Sequence, residues 1–418
     1  MKILDSGLSA VKGYKTAGIH AGIKKAKKDL ALIVSDIPAA AAGVFTINKV
    51  QAAPVTYDKA VIAAGKPVRA IVVNSGNANA CTGKPGLLDV EVMAETTAAA
   101  LGAENGSEIL VCSTGVIGVP LPMKKVMSGI HMAAEKLSST RESAVNAAEA
   151  ILTTDTFTKE IAVEITIDGK PVVLAGIAKG SGMIHPNMAT LLSFIITDAN
   201  IEAETLQGLL GTSISSTYNM ISVDGDTSTN DTVLTLANGA SNTPLIKRGT
   251  LIKRGTEVVP TEGYTKFAKA FDYVHAYLAK QIVRDGEGAS KFIEVHIAGA
   301  VQEADAKLLA KSIITSNLVK TAVFGEDANW GRILCAMGYS GAQFNPDTVD
   351  LTITSSQGEI LLLQQGLPVP FDENDALAIL KEHDIVITAT LQDGKAEATA
   401  WGCDLSYEYV KINGEYRT

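Results

Sequence analysis

Threonines gather beside glycine-rich or small-residue turns in this chain, at Ser113-Thr114-Gly115, Thr153-Thr154-Asp155-Thr156 and Ala189-Thr190. A threonine hydroxyl is a weak nucleophile until a base is held beside it. Cutting the chain immediately before a threonine supplies that base from the residue's own α-amine, whose reference pKa of about 7.7–8.0 suits proton transfer near neutrality. Such a site needs a small residue before the threonine, a flexible approach and a rigid strand after it. Residues 179–197, KGSGMIHPNMATLLSFIIT, contain all three. On the residues alone, however, a threonine that opens a buried strand is ordinarily a strand residue and nothing more.

Other chemistries find little support. No GxxxxGK[ST] occurs, because every Gly-Lys pair (Gly65, Gly83, Gly169, Gly394) is followed by Pro or Ala. Gly180-x-Gly182 and Gly286-x-Gly288 lack the third glycine of a dinucleotide fingerprint. There is no HExxH and no GxSxG, and His20, His131, His185, His275, His296 and His383 share no metal-ligand spacing. Asp224 and Asp226 resemble the start of a calcium loop, but Thr229 and Thr235 stand where the turn glycine and the bidentate glutamate belong. No metal and no resident cofactor is expected.

The elements that must position such a site come from an apolar, lightly charged chain. At 418 residues, 46% hydrophobic and 19% charged, it can bury two or three core units. With aromatics at 5%, the core must be built from Ala, Val, Ile and Leu. A net charge of −9 argues against a nucleic-acid or anionic-membrane partner, and the Lys24–Lys28 cluster reads as a solvated helix face. The apolar stretch Leu30–Phe45 is broken by Asp36 and Pro38, too short to span a bilayer, and the N-terminus shows no signal or presequence pattern. Cys81, Cys112, Cys335 and Cys403 are scattered with no CxxC pair, so a reducing cytoplasm is the expected compartment.

Short apolar runs at Ala31–Ser35, Ala70–Asn74 and Glu108–Cys112 read as buried strands, with helical patterns at Leu88–Leu101 and Met123–Leu152 between and after them. That alternation indicates an α/β architecture. Asp168-Gly169 signals a hairpin, and a strand is expected to start near Thr190. A helix over Glu202–Tyr218 and a strand at Val233–Ala237 follow. After Asp285-Gly286-Glu287-Gly288 comes a new block: strand Phe292–Ile297, helix Ala304–Ser312, then strands Val349–Thr354 and Ile385–Thr390. A domain boundary is expected near residue 290, with 291–400 a smaller α+β domain and 401–418 a tail returning to the first. The tandem LIKRGT hexapeptide, Leu245–Thr256, reads as an insertion in a surface connection.

KGSGMIHPNMATLLSFIITDA (Lys179–Ala199) closely resembles the self-cleaving segment of the ornithine acetyltransferase family, also called glutamate N-acetyltransferase, of arginine biosynthesis. Further blocks match in family order: AAGVFTINKVQAAPV, NSGNANACTG, STGVIG, TTDTFTK, VDGDTSTNDT, DGEGASK, FGEDANWGRI and the terminal NGEYRT. The duplicated LIKRGT departs from the pattern, as does Thr158, where proline is common.

The resemblance implies an N-terminal-nucleophile-like α/β/β/α core carrying the site within residues 1–290. It implies autoproteolysis between Ala189 and Thr190 into chains 1–189 and 190–418, associating as two copies of each. Thr190 becomes the nucleophile, and Thr114 and Gly115 become the oxyanion pair. Thr156, Lys179, Glu287, Asn413 and Thr418, with Thr190, become the substrate contacts, and Thr153 and Thr154 are neighbouring candidates for the place of Thr156. Lys179 can neutralise a carboxylate and Glu287 can hold an ammonium. Asn74, Asn77 and Asn79 could line the cleft, although asparagines beside Gly76 are more often turn formers.

The implied reaction moves acetyl from N-acetylornithine to glutamate through an acetyl-threonine, by ping-pong kinetics. Acetyl-CoA as a second donor is left open, since no CoA-phosphate motif separates the two cases. The alternatives are a self-cleaving amidase or aminopeptidase with the same nucleophile, and a non-enzymatic binding protein on the same fold.

Overall fold

The computed structural model describes residues 1–185, 191–251 and 258–415. In chain order its first strands are β1 (Lys2–Leu4), β2 (Tyr14–Ile19), β3 (Leu30–Phe45), β4 (Val68–Asn77), β5 (Ile109–Val116), β6 (Lys159–Ile167), β7 (Lys170–Lys179), β8 (Leu192–Thr197), β9 (Ile221–Ser222) and β10 (Thr232–Ala237). All but β9 join one nine-stranded sheet, ordered β1-β6-β7-β8-β10-β3-β4-β5, with β2 paired to β3.

The strand read at Ala31–Ser35 is the first part of one longer strand, β3, that runs on through Asp36 and Pro38. Leu30–Ser35 pairs with β2, Leu30–Val34 also with β4, and Ala40–Phe45 with β10. Asp36, Ile37 and Pro38 fall at the exposed crossover between these two halves, where the β4 register shifts. A proline is tolerated there because the ladder is already interrupted.

Alternation along the strands sends two sets of side chains to opposite faces, and the sheet halves stack through one of them. Ile33, Ile71, Val73 and Leu110 meet Ile177, Phe194, Ile196 and Leu234 in one inner core. The other face of β3–β5, with Leu32, Val72 and Val111, is covered by helices Gly83–Leu101 and Met123–Glu135. The other face of β6–β8 and β10 lies under helices Ala203–Ser216 and Glu262–Arg284. The protein is a mixed α/β structure with the layers helix, sheet, sheet, helix.

The helical pattern over Met123–Leu152 is two helices, Met123–Glu135 and Arg141–Ala150. Between them Ser138 exchanges backbone hydrogen bonds with Thr16, and the Thr140 hydroxyl caps the second helix by accepting from the Ser143 N–H. Local hydrogen bonding by Ser and Thr competes with helix continuation at such positions. The hairpin at Asp168-Gly169 forms with both residues at positive φ, 48° and 75°.

β11 (Thr250–Leu251), at the junction of the two hexapeptide copies, pairs with β12 (Val258–Val259) in a small ribbon, and residues 252–256 of the repeat lie outside the described residues. The remaining strands are β13 (Phe292–Ala300), β14 (Asp350–Ser355), β15 (Gly358–Gln364), β16 (Leu367–Pro368), β17 (Asp384–Thr390) and β18 (Ala396–Cys403). They form a second sheet, β16-β15-β14-β17-β13-β18-β9, whose edge strand β9 comes from far upstream. Residues 401–403 thus finish β18, and helix Tyr407–Glu415 follows.

Helix Glu262–Arg284, which the sequence reading passed over, packs on β6 and β7 as well as on β9 and β18 and so touches both sheets. Among the described residues, no helix is long and apolar enough to cross a membrane, and no His, Cys, Asp or Glu cluster could hold a metal ion.

His275 sits fully buried on that helix, edge-on to Tyr218 and Phe271, with neither ring nitrogen hydrogen-bonded among the described residues. Burial pushes its pKa down to about 3. An unfolded imidazole titrates near 6.5, so below that pH the unfolded chain binds a proton that the folded one refuses. Stability should therefore fall as pH drops from about 6.5, by up to about 1.4 kcal/mol per pH unit from this residue. His275→Leu should flatten that acid limb, read as denaturant midpoints at pH 7.5 and pH 5; an unchanged limb would show that His275 is not its source.

Candidate active site

The end of β5 carries Ser113-Thr114-Gly115, and its parallel pairing with β4 sets Thr114 opposite Ser75 and Gly115 opposite Gly76. Gly115 has φ +133°, and a Cβ there would lie 2.4 Å from the Gly76 carbonyl carbon, so the two backbones can approach only without a side chain. Asparagines brace this turn. Asn74 donates to the Asn77 carbonyl and accepts from Ser113, while Asn77 donates to the carbonyls of Val119 and Pro120. Their side chains build the turn, and Ala78 is the residue of this segment that faces the cleft.

The end of β7 brings in Lys179, which is 3% exposed and donates from Nζ to Thr114 Oγ1 at 3.2 Å. That bond uses a lone pair of the hydroxyl and leaves its hydrogen free as a donor. Burial lowers the Lys179 pKa, opposed mainly by the nearby Asp155 carboxylate.

Beneath Lys179 lies a buried ion cluster. Lys159 Nζ contacts Asp155 Oδ1 at 2.7 Å and also Asp285, and all three side chains are 2% exposed or less. Asp155 further accepts from the N–H groups of Gly180 and Thr153. Burial alone would raise its pKa, but the ammonium groups of Lys179 and Lys159 and these bonds hold it at about 2. Asp285 accepts from both the N–H and the hydroxyl of Thr156, and its carbonyl accepts from Ser181. The Ser181 carbonyl in turn accepts from the Glu287 N–H.

These segments enclose a cleft of about 300 Å³. Thr114, Gly115, Lys179, Glu287 and Asn413 all lie on its wall, drawn from four separate parts of the chain. Asn413, on the terminal helix, donates to Glu287 Oε2 at 2.9 Å. Thr153 and Thr154 also face the cleft, whereas Thr156 is tied behind it to Asp285. Ala189, Thr190 and Thr418 lie outside the described residues.

The described chain resumes at Leu191, at the same end of the sheet. Register sets Leu192 opposite Lys179 on one side and Thr232 on the other. The residues just before Thr232 form another wall: Ser228, Thr229 and Asn230 line the cleft. Asn230 Nδ2 donates to the carbonyls of Ala78 and Ser113 at 2.7 and 2.8 Å, fixing the residue before Thr114. Asp231, fully buried, accepts from the Leu191 N–H at 2.9 Å. Burial pushes its carboxyl well above the usual range, against the pull of that N–H, of Lys179 and of the Ser228 hydroxyl.

Sequence reasoning passed over Asp155, Lys159, Asp285, Asn230 and Asp231. One signal was present: Asp155 and Lys159 are charged residues four apart inside TTDTFTK, and Lys179 is another lysine brought near them by the hairpin of β6 and β7. The cleft combines a hydroxyl donor, a buried ammonium and a carboxylate around the entry to β8. Such a constellation can stabilise an oxyanion and hold a zwitterionic amino-acid substrate.

Comparison with known proteins agrees over the whole chain. The ArgJ family model matches residues 15–418. The arginine biosynthesis bifunctional protein ArgJ of Caldanaerobacter subterraneus subsp. tengcongensis is 52% identical over 418 residues, covering 100% of both chains. That of Listeria monocytogenes serovar 1/2a is 47% identical over 418 residues, again with 100% of both covered. A crystal structure of ornithine acetyltransferase with ornithine, from Mycobacterium tuberculosis, is 38% identical over 46% of this chain and 98% of that one, with a TM-score of 0.41. With half the residues identical from end to end, this chain belongs to the ArgJ family.

Proposed function

We propose that this acyltransferase is a glutamate N-acetyltransferase that moves acetyl from N-acetyl-L-ornithine to L-glutamate through an ester on Thr190. One observation carries the reading: sheet register delivers the start of β8 between Lys179 and the Asn230–Asp231 segment, at the cleft that holds Thr114 and Gly115.

Self-cleavage comes first. The Thr190 hydroxyl adds to the Ala189 carbonyl, the C–N bond breaks as the nitrogen takes the proton, and water hydrolyses the resulting ester. The products are chains 1–189 and 190–418, associated as two copies of each. In the transfer, the new α-amine takes the hydroxyl proton while oxygen attacks the acetyl carbonyl. Thr114 and Gly115 donate to the oxyanion. The amine then gives its proton to the departing nitrogen of ornithine, and glutamate repeats the sequence in reverse.

Lys179 supplies the positive charge for the substrate α-carboxylate, and Glu287, held by Asn413, the negative charge for an ammonium. Thr153 and Thr154 stand on the wall where sequence placed Thr156. Thr418 closes the substrate set from the C-terminus. The relatives' name, bifunctional, supports acetyl-CoA as a second donor; no metal or resident cofactor takes part, and the enzyme works in the cytoplasm.

The purified protein should run as two fragments, with the second beginning Thr-Leu-Leu-Ser-Phe by Edman sequencing. Thr190→Ala should remain one inactive chain, and Thr190→Ser should retain some cleavage. Wild type that stays uncut yet transfers acetyl normally would exclude the α-amine as base.

Parallel initial-rate lines for N-acetylornithine against glutamate are expected; converging lines would exclude the acetyl-enzyme. Acetyl release without glutamate acetylation would instead favour an amidase. Glutamate acetylation with acetyl-CoA alone tests the second donor. Thr114→Val should lower kcat by about 10²–10³ while leaving KM nearly unchanged, the loss expected from one oxyanion donor. A kcat within a factor of about three of wild type would remove Thr114 from that role.

A further inference from the structure

The lysine run Lys24–Lys28 lies in the loop between β2 and β3, not on the solvated helix face its pattern suggests, and one of its lysines turns inward. Asp29, fully buried, anchors the loop by accepting from the N–H groups of Ala21 and Lys24 at 2.6 and 2.8 Å. The Asp29 carbonyl accepts from the Ser75 N–H, which fastens the loop to the end of β4. Lys24 is thus fixed at its backbone before its side chain reaches anything.

That side chain runs between two walls of the cleft. Its stem lies on Gly76, where a Cβ would come 2.8 Å from Lys24 Cγ, and Gly76 is the residue opposite Gly115. Its Nζ donates to the Leu152 carbonyl at 2.8 Å, immediately before Thr153 and Thr154 on the cleft wall. Ser75 ties the same segment two residues earlier, donating to the Ala150 carbonyl at 2.6 Å. The last carbonyl before the two threonines is held by Lys24.

Burial lowers the Lys24 pKa to about 8, with the charges of Lys27 and Lys179 adding to the fall and those of Asp29 and Asp155 opposing it. At neutral pH the amine keeps its proton, so its bond to Leu152 is charge-assisted and stronger than one between neutral groups. The other lysines of the run face outward. Lys25 and Lys27 are exposed, and Lys28 reaches Asn146 and Glu149 on helix Arg141–Ala150.

We propose that Lys24 is a positioning residue for substrate binding: by holding the Leu152 carbonyl from a stem seated on Gly76, it sets the Thr153–Thr154 wall at a fixed distance from the oxyanion turn. The inference rests on the acetyltransferase reading and adds the residue that fixes the width of its cleft. A wall that grips the substrate equally in the ground state and the transition state governs KM and leaves kcat alone.

Lys24→Met keeps a stem on Gly76 and removes the charged donor. KM for N-acetylornithine should rise at least about tenfold, with kcat within about threefold of wild type. A merely structural lysine would instead lower the thermal midpoint and leave KM unmoved. Lys25→Met removes one charge from the exposed part of the same loop and should keep KM within about twofold of wild type, which separates the bond from the loop's charge.

An unchanged KM in Lys24→Met, an equal rise in Lys25→Met, or a loss confined to kcat would overturn the proposal. Should Lys24→Met fail to fold, Lys24→Gln takes its place with the same expected rise, since its uncharged donor ends one bond short of the lysine nitrogen. Wild type in the same assay tests the underlying reading separately. If wild type transfers no acetyl to glutamate, that reading fails and the Lys24 assignment goes with it. If wild type transfers normally and Lys24→Met shows the same KM, only the Lys24 assignment fails.

Discussion

Asp155, Lys159 and Asp285 are three charges taken out of water, and the cleft is assembled around them. A buried ammonium between two carboxylates leaves one negative charge uncompensated, and Lys179, whose field acts on Asp155, restores neutrality to the group. Each carboxylate then spends its remaining capacity on backbone. Asp155 takes the N–H groups of Thr153 and Gly180, and Asp285 takes that of Thr156. Removing one partner of such a buried pair typically costs about 3–5 kcal/mol. Here the same removal would also release the three segments that present Thr153 and Thr154, Lys179 and Glu287. Stability and site geometry therefore draw on the same atoms.

The opposite wall is held by shape as well as by hydrogen bonds. Gly115 brings β5 against β4 more closely than any side chain permits, and Asn230 bridges Ala78 and Ser113 across the turn. Both walls are set before any substrate arrives. That is the condition under which oriented donors lower a barrier without reorganising as charge develops.

The elements were legible where one local signal dominates. The strongly apolar, β-branched run TLLSFIIT, the Asp168-Gly169 turn and the segment Val233–Ala237 itself each fix a strand. The boundary errors have a common cause, since local pattern omits the partner strand. Pro38 looks like a break until β3 is seen changing neighbours there. Ser138 and Thr140 look helical until Thr16 pairs with the first of them. For the site, Thr114, Gly115, Lys179, Glu287 and Asn413 were reached by resemblance and share one cleft. Asp231 and Asp285 were not, because a buried acid and a solvated turn acid look alike in STNDT and DGEG until packing separates them.

The strand order has a topological consequence. A cut between residues 189 and 190 leaves β1–β7 on the first fragment and gives β8 and β10 to the second. Yet the sheet runs β6-β7, then β8-β10, then β3-β4. The second fragment's pair is thus inserted between strands of the first, with ladders on both flanks, β7 to β8 and β10 to β3. Losing one covalent bond therefore creates no separable lobe. Fragments made by such a cut could part only by opening two rows of backbone hydrogen bonds and the core beneath them together, so a chain nicked there would remain one cooperative unit.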